Sequence, residues 1–135
     1  MIKTAPLILL VAGCAGLGAC GGEEPQGVIP GDALVYESRQ AITCGTRGLT
    51  TQQSAQKLID GGIDVIASNC GVVTGVAYAA VCGQATGEIL IHEIRRVNVP
   101  DAEQRGFNPV TELQDPVSGV SWEKVDCETG VVLPR

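Results

Sequence analysis

Apolar positions recur at helical spacing in one part of the chain, between residues 49 and 62. Positions separated by three and four residues share one face of a helix. Thr50 and Gln53 stand three apart, as in a capping box, and the glycines at 61–62 supply a left-handed stop. The pattern therefore predicts a helix over residues 49–62. The apolar residues of its predicted buried face are Ala55, Leu58 and Ile59.

Short apolar runs outside this helix predict strands, because each is bounded by turn-forming residues. The runs cover residues 33–43, 63–70, 76–82, 88–94 and 117–127. Segments 73–75 and 84–87 both end in Thr-Gly, and they predict hairpin turns. The triplet 89–91 (Ile-Leu-Ile) is apolar on both faces, which favours a central strand.

A second, shorter helix is predicted over residues 101–105, because Pro100 suits a first helical position and Gly106 suits a helix end. Together these elements predict an α+β fold. We expect a small antiparallel sheet of about three to five strands with one main helix packed on one face. With few aromatic residues in the chain, we also expect the domain to be disulfide-bonded.

The N-terminal segment combines one basic residue, Lys3, with an apolar run that ends at cysteine. It resembles the signal peptides of bacterial lipoproteins, whose lipobox has an aliphatic residue, two small residues and the cysteine that receives diacylglycerol. The resemblance implies lipidation at Cys20, with Cys14 as the alternative acceptor after a shorter apolar region. The two matching segments are Leu17-Gly18-Ala19-Cys20 and Val11-Ala12-Gly13-Cys14.

The lipoprotein resemblance divides the chain into a signal peptide at residues 1–19, a flexible tether at 20–32 and a single α+β domain at 33–135. The tether is rich in glycine and proline, as linkers are. The implied location is the cell envelope, with the protein anchored to a membrane by lipid. Gly21 in place of aspartate after the acceptor favours the outer membrane, facing the periplasm, where the enteric sorting pattern applies.

Four cysteines remain for the domain, and an even number in an oxidising compartment predicts two disulfides. Antiparallel packing of the helix on the following strand would bring Cys44 towards Cys70. A tight hairpin after that strand would place Cys82 opposite Ile63, far from Cys70, whereas bonded Cα atoms lie within about 7 Å. We therefore predict Cys44–Cys70 and Cys82–Cys127.

Composition and motifs exclude several classes of function. The formal charge of −6 does not suit nucleic acid, whose affinity comes largely from basic side chains. No serine lies in a G-x-S-x-G or S-x-x-K motif, and the cysteine spacings match no standard zinc site. We therefore predict no catalysis, cofactor or metal. The single histidine, His92, would serve as a general base only in a cleft beside a carboxylate or hydroxyl.

Arg95, Arg96 and Arg105 are the candidate contacts for an anion or a partner, with pairing to nearby carboxylates as the simpler alternative. The sequence favours a lipid-anchored envelope protein whose disulfide-stabilised domain binds another macromolecule, such as an envelope protein. The alternatives are a small-molecule binding module or an inhibitor of an exported hydrolase. A small periplasmic enzyme using His92 comes last.

Overall fold

The computed structural model describes residues 31–134. The predicted signal peptide and both lipid-acceptor candidates, Cys14 and Cys20, lie outside these residues, as does the tether apart from its last two positions. Two helices and five strands are described. The helices are α1 (Thr51–Ile59) and α2 (Val99–Glu103), and the strands are β1 (Asp32–Ser38), β2 (Val65–Thr74), β3 (Glu88–Arg95), β4 (Asn108–Pro109) and β5 (Ser121–Val125).

The five strands form one antiparallel sheet in the order β4-β1-β3-β2-β5. The predicted fold class is confirmed: the sheet is antiparallel, and one main helix packs on one face. β3 is the central strand, and Ile89, Leu90 and Ile91 are all buried, as an apolar run without alternation predicts. The tether prediction ends inside β1, which already begins at Asp32.

Helix α1 begins and ends through the predicted residues. Thr50 accepts a hydrogen bond from the Gln53 backbone, while the Gln53 side chain accepts one from the Thr50 backbone. At the other end Gly62 takes φ +77°, and the Ile63 N–H donates to the Leu58 carbonyl. This cap turns the chain directly into β2.

Alternation along the strands sends apolar side chains to both faces of the sheet. One face packs against α1 and α2, and the other is covered by a 3-10 helix at Val110–Leu113 and by the segment leading into β5. The helix-side core contains Val35, Leu58, Ile63, Leu90, Ile94, Ala102, Phe107 and Val125. The opposite core contains Ile89, Ile91, Val110 and Leu113, with Trp122 packed against them.

The predicted strand over residues 76–82 is wrong, as is the hairpin turn at 73–75. β2 runs on to Thr74, and the segment that follows is irregular and exposed. The reason is the register: Val72 already pairs with Glu88, so β2 and β3 are direct neighbours and leave no place between them. The intervening residues therefore project from the sheet.

The predicted disulfides, Cys44–Cys70 and Cys82–Cys127, are also wrong. The bonds are Cys44–Cys82 and Cys70–Cys127, with Cα–Cα distances of 5.0 and 5.1 Å. The start of α1 does lie near Cys70, since Leu49 packs in the same cluster. Residues 40–48, however, form a loop that carries Cys44 away to the projecting segment.

The second bridge follows from strand pairing that the sequence did not reveal. Cys70 is the register partner of Val125 in β5, which places Cys127, two residues further on, beside it. The sequence did predict a strand in this region, but not its neighbour in the sheet.

Candidate functional site

The segment between β2 and β3, residues 75–87, forms a projection that we call the β2–β3 lobe. Residues 75–85 are all exposed, and the lobe contains no charged side chain. Its large apolar residues stay in solvent: Val76 is 44% exposed, Tyr78 40% and Val81 60%. A contiguous exposed apolar segment of this kind marks an interaction surface more often than scattered apolar residues do.

The β2–β3 lobe is fastened to the loop that follows β1. Cys82 is bonded to Cys44. On either side of that bond, Thr43 N–H donates to the Gln84 carbonyl over 2.9 Å, and Gly83 N–H donates to the Thr43 carbonyl over 3.0 Å. The lobe is therefore held in one position although its side chains are unburied.

Two left-handed glycines form the base of the β2–β3 lobe. At Gly75, φ +78°, a Cβ atom would lie 2.2 Å from the carbonyl oxygen of Gly119. At Gly87, φ +76°, a Cβ atom would lie 2.4 Å from the Tyr78 ring. Only glycine meets both the conformation and the close approach at these positions.

A second arrangement lies between α1 and the sheet and consists of Ser68, His92, Ser54 and Glu37, which we call the His92 array. His92 Nδ1 lies 2.8 Å from Ser68 Oγ, and His92 Nε2 lies 2.8 Å from Ser54 Oγ. Ser54 Oγ is also 2.5 Å from Glu37 Oε1. Lys57 Nζ lies 2.7 Å from the other carboxylate oxygen, Glu37 Oε2, and completes an ion pair.

Strand register and helix spacing assemble the His92 array. Ser68 in β2 is the register partner of His92 in β3, so their side chains share the helix-side face. Glu37 points to the same face from β1, two residues after Val35, which pairs with His92. Ser54 and Lys57 stand three residues apart in α1, so both lie on the side of the helix that faces Glu37.

The members of the His92 array differ in exposure. His92 and Ser54 are both 0% exposed and Glu37 is 7% exposed, whereas Ser68 is an exposed residue. Phe107 packs its ring at 70° to the imidazole, with centroids 5.8 Å apart. Burial lowers the pKa of His92 below its ordinary value, and the nearby Glu37 partly opposes this.

The hydrogen-bond directions in the His92 array follow from chemistry. The Glu37 carboxylate, paired with Lys57, only accepts, so the single Ser54 hydroxyl proton is donated to it. Ser54 Oγ then accepts from His92 Nε2–H, which leaves Nδ1 as the unprotonated nitrogen. Nδ1 therefore accepts the proton of the Ser68 hydroxyl. The neutral imidazole has one fixed tautomer, with every donor matched to an acceptor.

We expect the stability of the domain to fall as the pH drops below about 6.5. His92 has a lowered pKa in the folded state, so the unfolded chain binds its proton first and is favoured by acid. The contribution of neutral His92 to the free energy of unfolding is fully present above the pKa of the unfolded chain. Below that pKa the free energy of unfolding declines by at most about 1.4 kcal/mol per pH unit. Urea unfolding between pH 7.5 and 5 measures this slope.

His92→Gln is the control for that slope, because it removes the only histidine while retaining hydrogen-bonding groups. We expect its free energy of unfolding to vary less with pH across the same window. A wild-type slope that His92→Gln reproduces would assign the acid sensitivity to other groups and contradict the prediction.

Two shallow grooves flank Trp122 in β5. One has a volume of about 660 Å³ and includes Lys124 and Leu133, and the other, of about 440 Å³, includes Arg96 and Val110. Trp122 and Gln114 line both grooves. Grooves of this size match small organic ligands, for which they offer mixed polar and apolar walls.

The predicted arginine contacts do not meet as one site. Arg95, Arg96 and Arg105 are all exposed. Arg96 lines the groove beside Trp122, whereas the Arg105 guanidinium lies against Gly61 at the end of α1. The ion pairs of the described residues are Arg39–Glu88 and Lys57–Glu37, which do not involve these arginines. An anion-binding role for the three together stays a prediction.

The sequence pattern did not reveal the His92 array, because α1 buries Ser54 together with the predicted Leu58 and leaves the predicted Ile59 exposed. Ile59 is 51% exposed, whereas Ser54 and Leu58 are 0% exposed. A serine four residues before a buried leucine was the available signal, since both occupy the same helix face. The histidine was identified as a candidate, but its partners lie on three other elements.

Comparison with protein-family models, with curated proteins and with solved structures finds no match for this chain. Neither helix in the described part of the chain is long and apolar enough to cross a membrane.

Proposed function

We propose that this chain is a lipid-anchored cell-envelope protein whose small disulfide-stabilised domain binds a partner protein through the β2–β3 lobe. The observation that carries the proposal is the uncharged, exposed surface of residues 75–85, held by Cys44–Cys82. A surface fixed in advance loses little conformational entropy on binding. Its apolar side chains would bind in an apolar pocket on the surface of the partner.

Export is supported by the disulfides of the domain. Two disulfides link distant parts of a small domain, and such bonds persist in oxidising compartments outside the cytoplasm. The lipobox resemblance adds an anchor at Cys20, and Gly21 favours outer-membrane sorting. The acidic composition agrees with a protein partner better than with nucleic acid.

Lipidation is tested by feeding producing cells a fatty-acid analogue and comparing wild type with Cys20→Ser and Cys14→Ser. We expect label in wild type and Cys14→Ser and none in Cys20→Ser, because only the acceptor cysteine receives lipid. Label that survives in Cys20→Ser and vanishes in Cys14→Ser would move the anchor to the alternative site. Absence of label from all three would contradict the anchor.

The lobe is tested by introducing a charge where the partner is expected to exclude water. We expect Val81→Asp to reduce recovery of the partner at least tenfold after cross-linking in intact cells, because an aspartate buried without a counter-ion is strongly unfavourable. Quantitative mass spectrometry of the purified cross-linked complexes measures the loss. Val81 is 60% exposed in the isolated domain, so the fold itself should tolerate the change.

Val117→Asp is the matched control for the lobe variant, since Val117 is a valine 93% exposed on another loop. We expect it to recover the partner as wild type does. Equal recovery from Val81→Asp and wild type, with both proteins folded, would contradict a role for the β2–β3 lobe.

A second candidate, an inhibitor of an exported hydrolase, is favoured by one feature of the β2–β3 lobe. Residues 77–80, with the sequence Ala-Tyr-Ala-Ala, belong to no helix, strand or turn and are exposed beside the anchored Cys82. An exposed segment of three alanines and one tyrosine fits the substrate cleft of a protease. Incubation with purified exported proteases distinguishes the two, because an inhibitor lowers their activity without being consumed.

A further inference from the structure

We propose that Ser68 has a function beyond the proposed binding role. Ser68 is a nucleophile that His92 activates, and the Ser68 hydroxyl oxygen takes the acyl group of small uncharged esters. Ser68 is the exposed end of the His92 array, and the rest of the array lies beneath it. The proposal runs against the expectation that the domain performs no catalysis, and it rests on different residues from the β2–β3 lobe.

The first support is the direction of the hydrogen bonds. Ser68 O–H donates to His92 Nδ1, His92 Nε2–H donates to Ser54 Oγ, and Ser54 O–H donates to Glu37. A base that accepts the proton of a hydroxyl, with its other nitrogen oriented by a further acceptor, is the arrangement of an activated serine. Here the orienting group is Ser54, which relays the contact to the carboxylate.

The second support is the fixed charge at the buried end. Proton transfer from Ser68 makes His92 a cation, and the Glu37 carboxylate faces that cation through Ser54. Lys57 lies on the far side of Glu37, at Oε2. It holds the carboxylate in place without contacting the imidazole. Phe107 and the surrounding core exclude water from the ring.

The third support is the backbone around Ser68. β5 pairs with β2 only as far as Cys70, so β5 does not cover Ser68. Leu133 N–H donates to the Lys124 carbonyl, so the backbone polar groups of Lys124 point away from β2. Because these groups alternate sides along a strand, those of Val125 point towards β2 and those of its partner Cys70 point towards β5. Alternation then directs the Ser68 N–H to the same, uncovered side of β2. An oxyanion formed at Ser68 has this N–H as a donor.

The chemistry balances with water as the second reactant. Ser68 Oγ forms a bond to the acyl carbon while His92 Nδ1 takes the hydroxyl proton. The bond to the leaving alcohol breaks, and that alcohol takes the proton from His92. Water then attacks the acyl-Ser68 ester, giving a carboxylic acid and restoring the Ser68 hydroxyl. The β2 residues on either side, 66–70, carry no charge, which suits an uncharged acyl group.

The test is covalent labelling of the full chain with a fluorophosphonate probe, followed by intact mass measurement and peptide mapping. The probe loses fluoride and forms a phosphorus–oxygen bond to an activated serine. We expect one adduct, located on Ser68, and none in Ser68→Ala. Ser118→Ala is the matched control, because Ser118 is an exposed serine whose hydroxyl contacts a backbone amide and no imidazole. It should label as wild type does.

Ser54→Ala tests the relay, because it removes the link between His92 and Glu37 and leaves Ser68 in place. We expect labelling at least tenfold slower. If that variant does not fold, the pH dependence of the wild-type labelling rate decides. The labelling rate should fall as His92 becomes protonated, and NMR of this single histidine follows its protonation. The absence of a Ser68 adduct in folded wild type would overturn the proposal. So would a rate that neither Ser54→Ala nor protonation of His92 changes.

A burst of alcohol release from p-nitrophenyl acetate tests the ester class. We expect one equivalent per chain in wild type and in Val81→Asp, and none in Ser68→Ala. A burst that persists in Ser68→Ala would assign the chemistry to another residue. Because Val81→Asp alters only the β2–β3 lobe, failure of partner binding and failure of Ser68 chemistry are distinguishable.

Discussion

Replacing Phe107 by alanine is expected to lower the free energy of unfolding by about 3–5 kcal/mol, as truncation of a buried aromatic residue does. Phe107 is 0% exposed and is the only phenylalanine of the chain. It fills the core between the sheet and both helices, in the cluster that contains Leu58 and Ile94. It also packs against the His92 ring. Urea unfolding followed by circular dichroism measures the loss.

Val117→Ala is the control for this experiment, because Val117 is 93% exposed. Surface substitutions of this kind change stability by about 0.5 kcal/mol or less. A cost below about 1 kcal/mol for Phe107→Ala would be too small for a filled core position. It would contradict the packing of α1 and α2 on one face of the sheet.

Removing the Cys70–Cys127 bond, by alanine at both positions, is expected to cost about 4 kcal/mol. The bond closes a loop with a sequence separation of 57 residues, and its loss releases the unfolded chain from that constraint. Cys70 is 1% exposed in the cluster with Leu90 and Val125, so the variant loses packing as well. The midpoint of chemical unfolding, compared with wild type while the remaining Cys44–Cys82 bond is kept oxidised, measures the effect.

The paired variant Cys44→Ala/Cys82→Ala gives the comparison. Its loop is shorter, with a separation of 38 residues, and the bond fastens the exposed β2–β3 lobe and not the core. We expect a smaller loss of stability, since the lobe gains freedom in the folded state too. A larger loss than in the Cys70/Cys127 variant would contradict the assignment of Cys70–Cys127 as the bond that holds the sheet.

Local signals in the sequence predicted the elements whose formation depends on neighbours in the chain. The Thr50–Gln53 capping box and the glycine stop of α1 are present as expected, because both are satisfied within a few residues. The uninterrupted apolar run at 89–91 predicted a strand buried on both faces, and β3 lies at the centre of the sheet. The predicted fold class depends on this helix together with all of the predicted strands.

Strand neighbours could not be predicted in the same way, and the disulfide pairing depended on them. A separation of 57 residues links Cys70 to Cys127 because β5 pairs with β2, which no short-range pattern encodes. The run at 76–82 is apolar enough to predict a strand. Its place beside β2 is taken by β3, so the sequence pattern that indicated burial belongs to an exposed lobe.

The His92 array was beyond prediction for a related reason. Its members come from β1, α1, β2 and β3, and each is an ordinary residue in its own element. Only the register that sets Ser68 opposite His92, and the rotation of α1 that buries Ser54, bring the four together. The exposed apolar residues of the β2–β3 lobe are likewise visible only once the lobe is known to project from the sheet.

Direct contact between the β2–β3 lobe and a partner is measured most directly with a photo-reactive amino acid placed at Val81 in cells that make the protein naturally. The same amino acid at Val117 gives the background from an exposed valine elsewhere. We predict a discrete cross-linked product from Val81 that is absent from Val117. The central claim would be contradicted if Val81 gave no product, or if Val117 gave the same one.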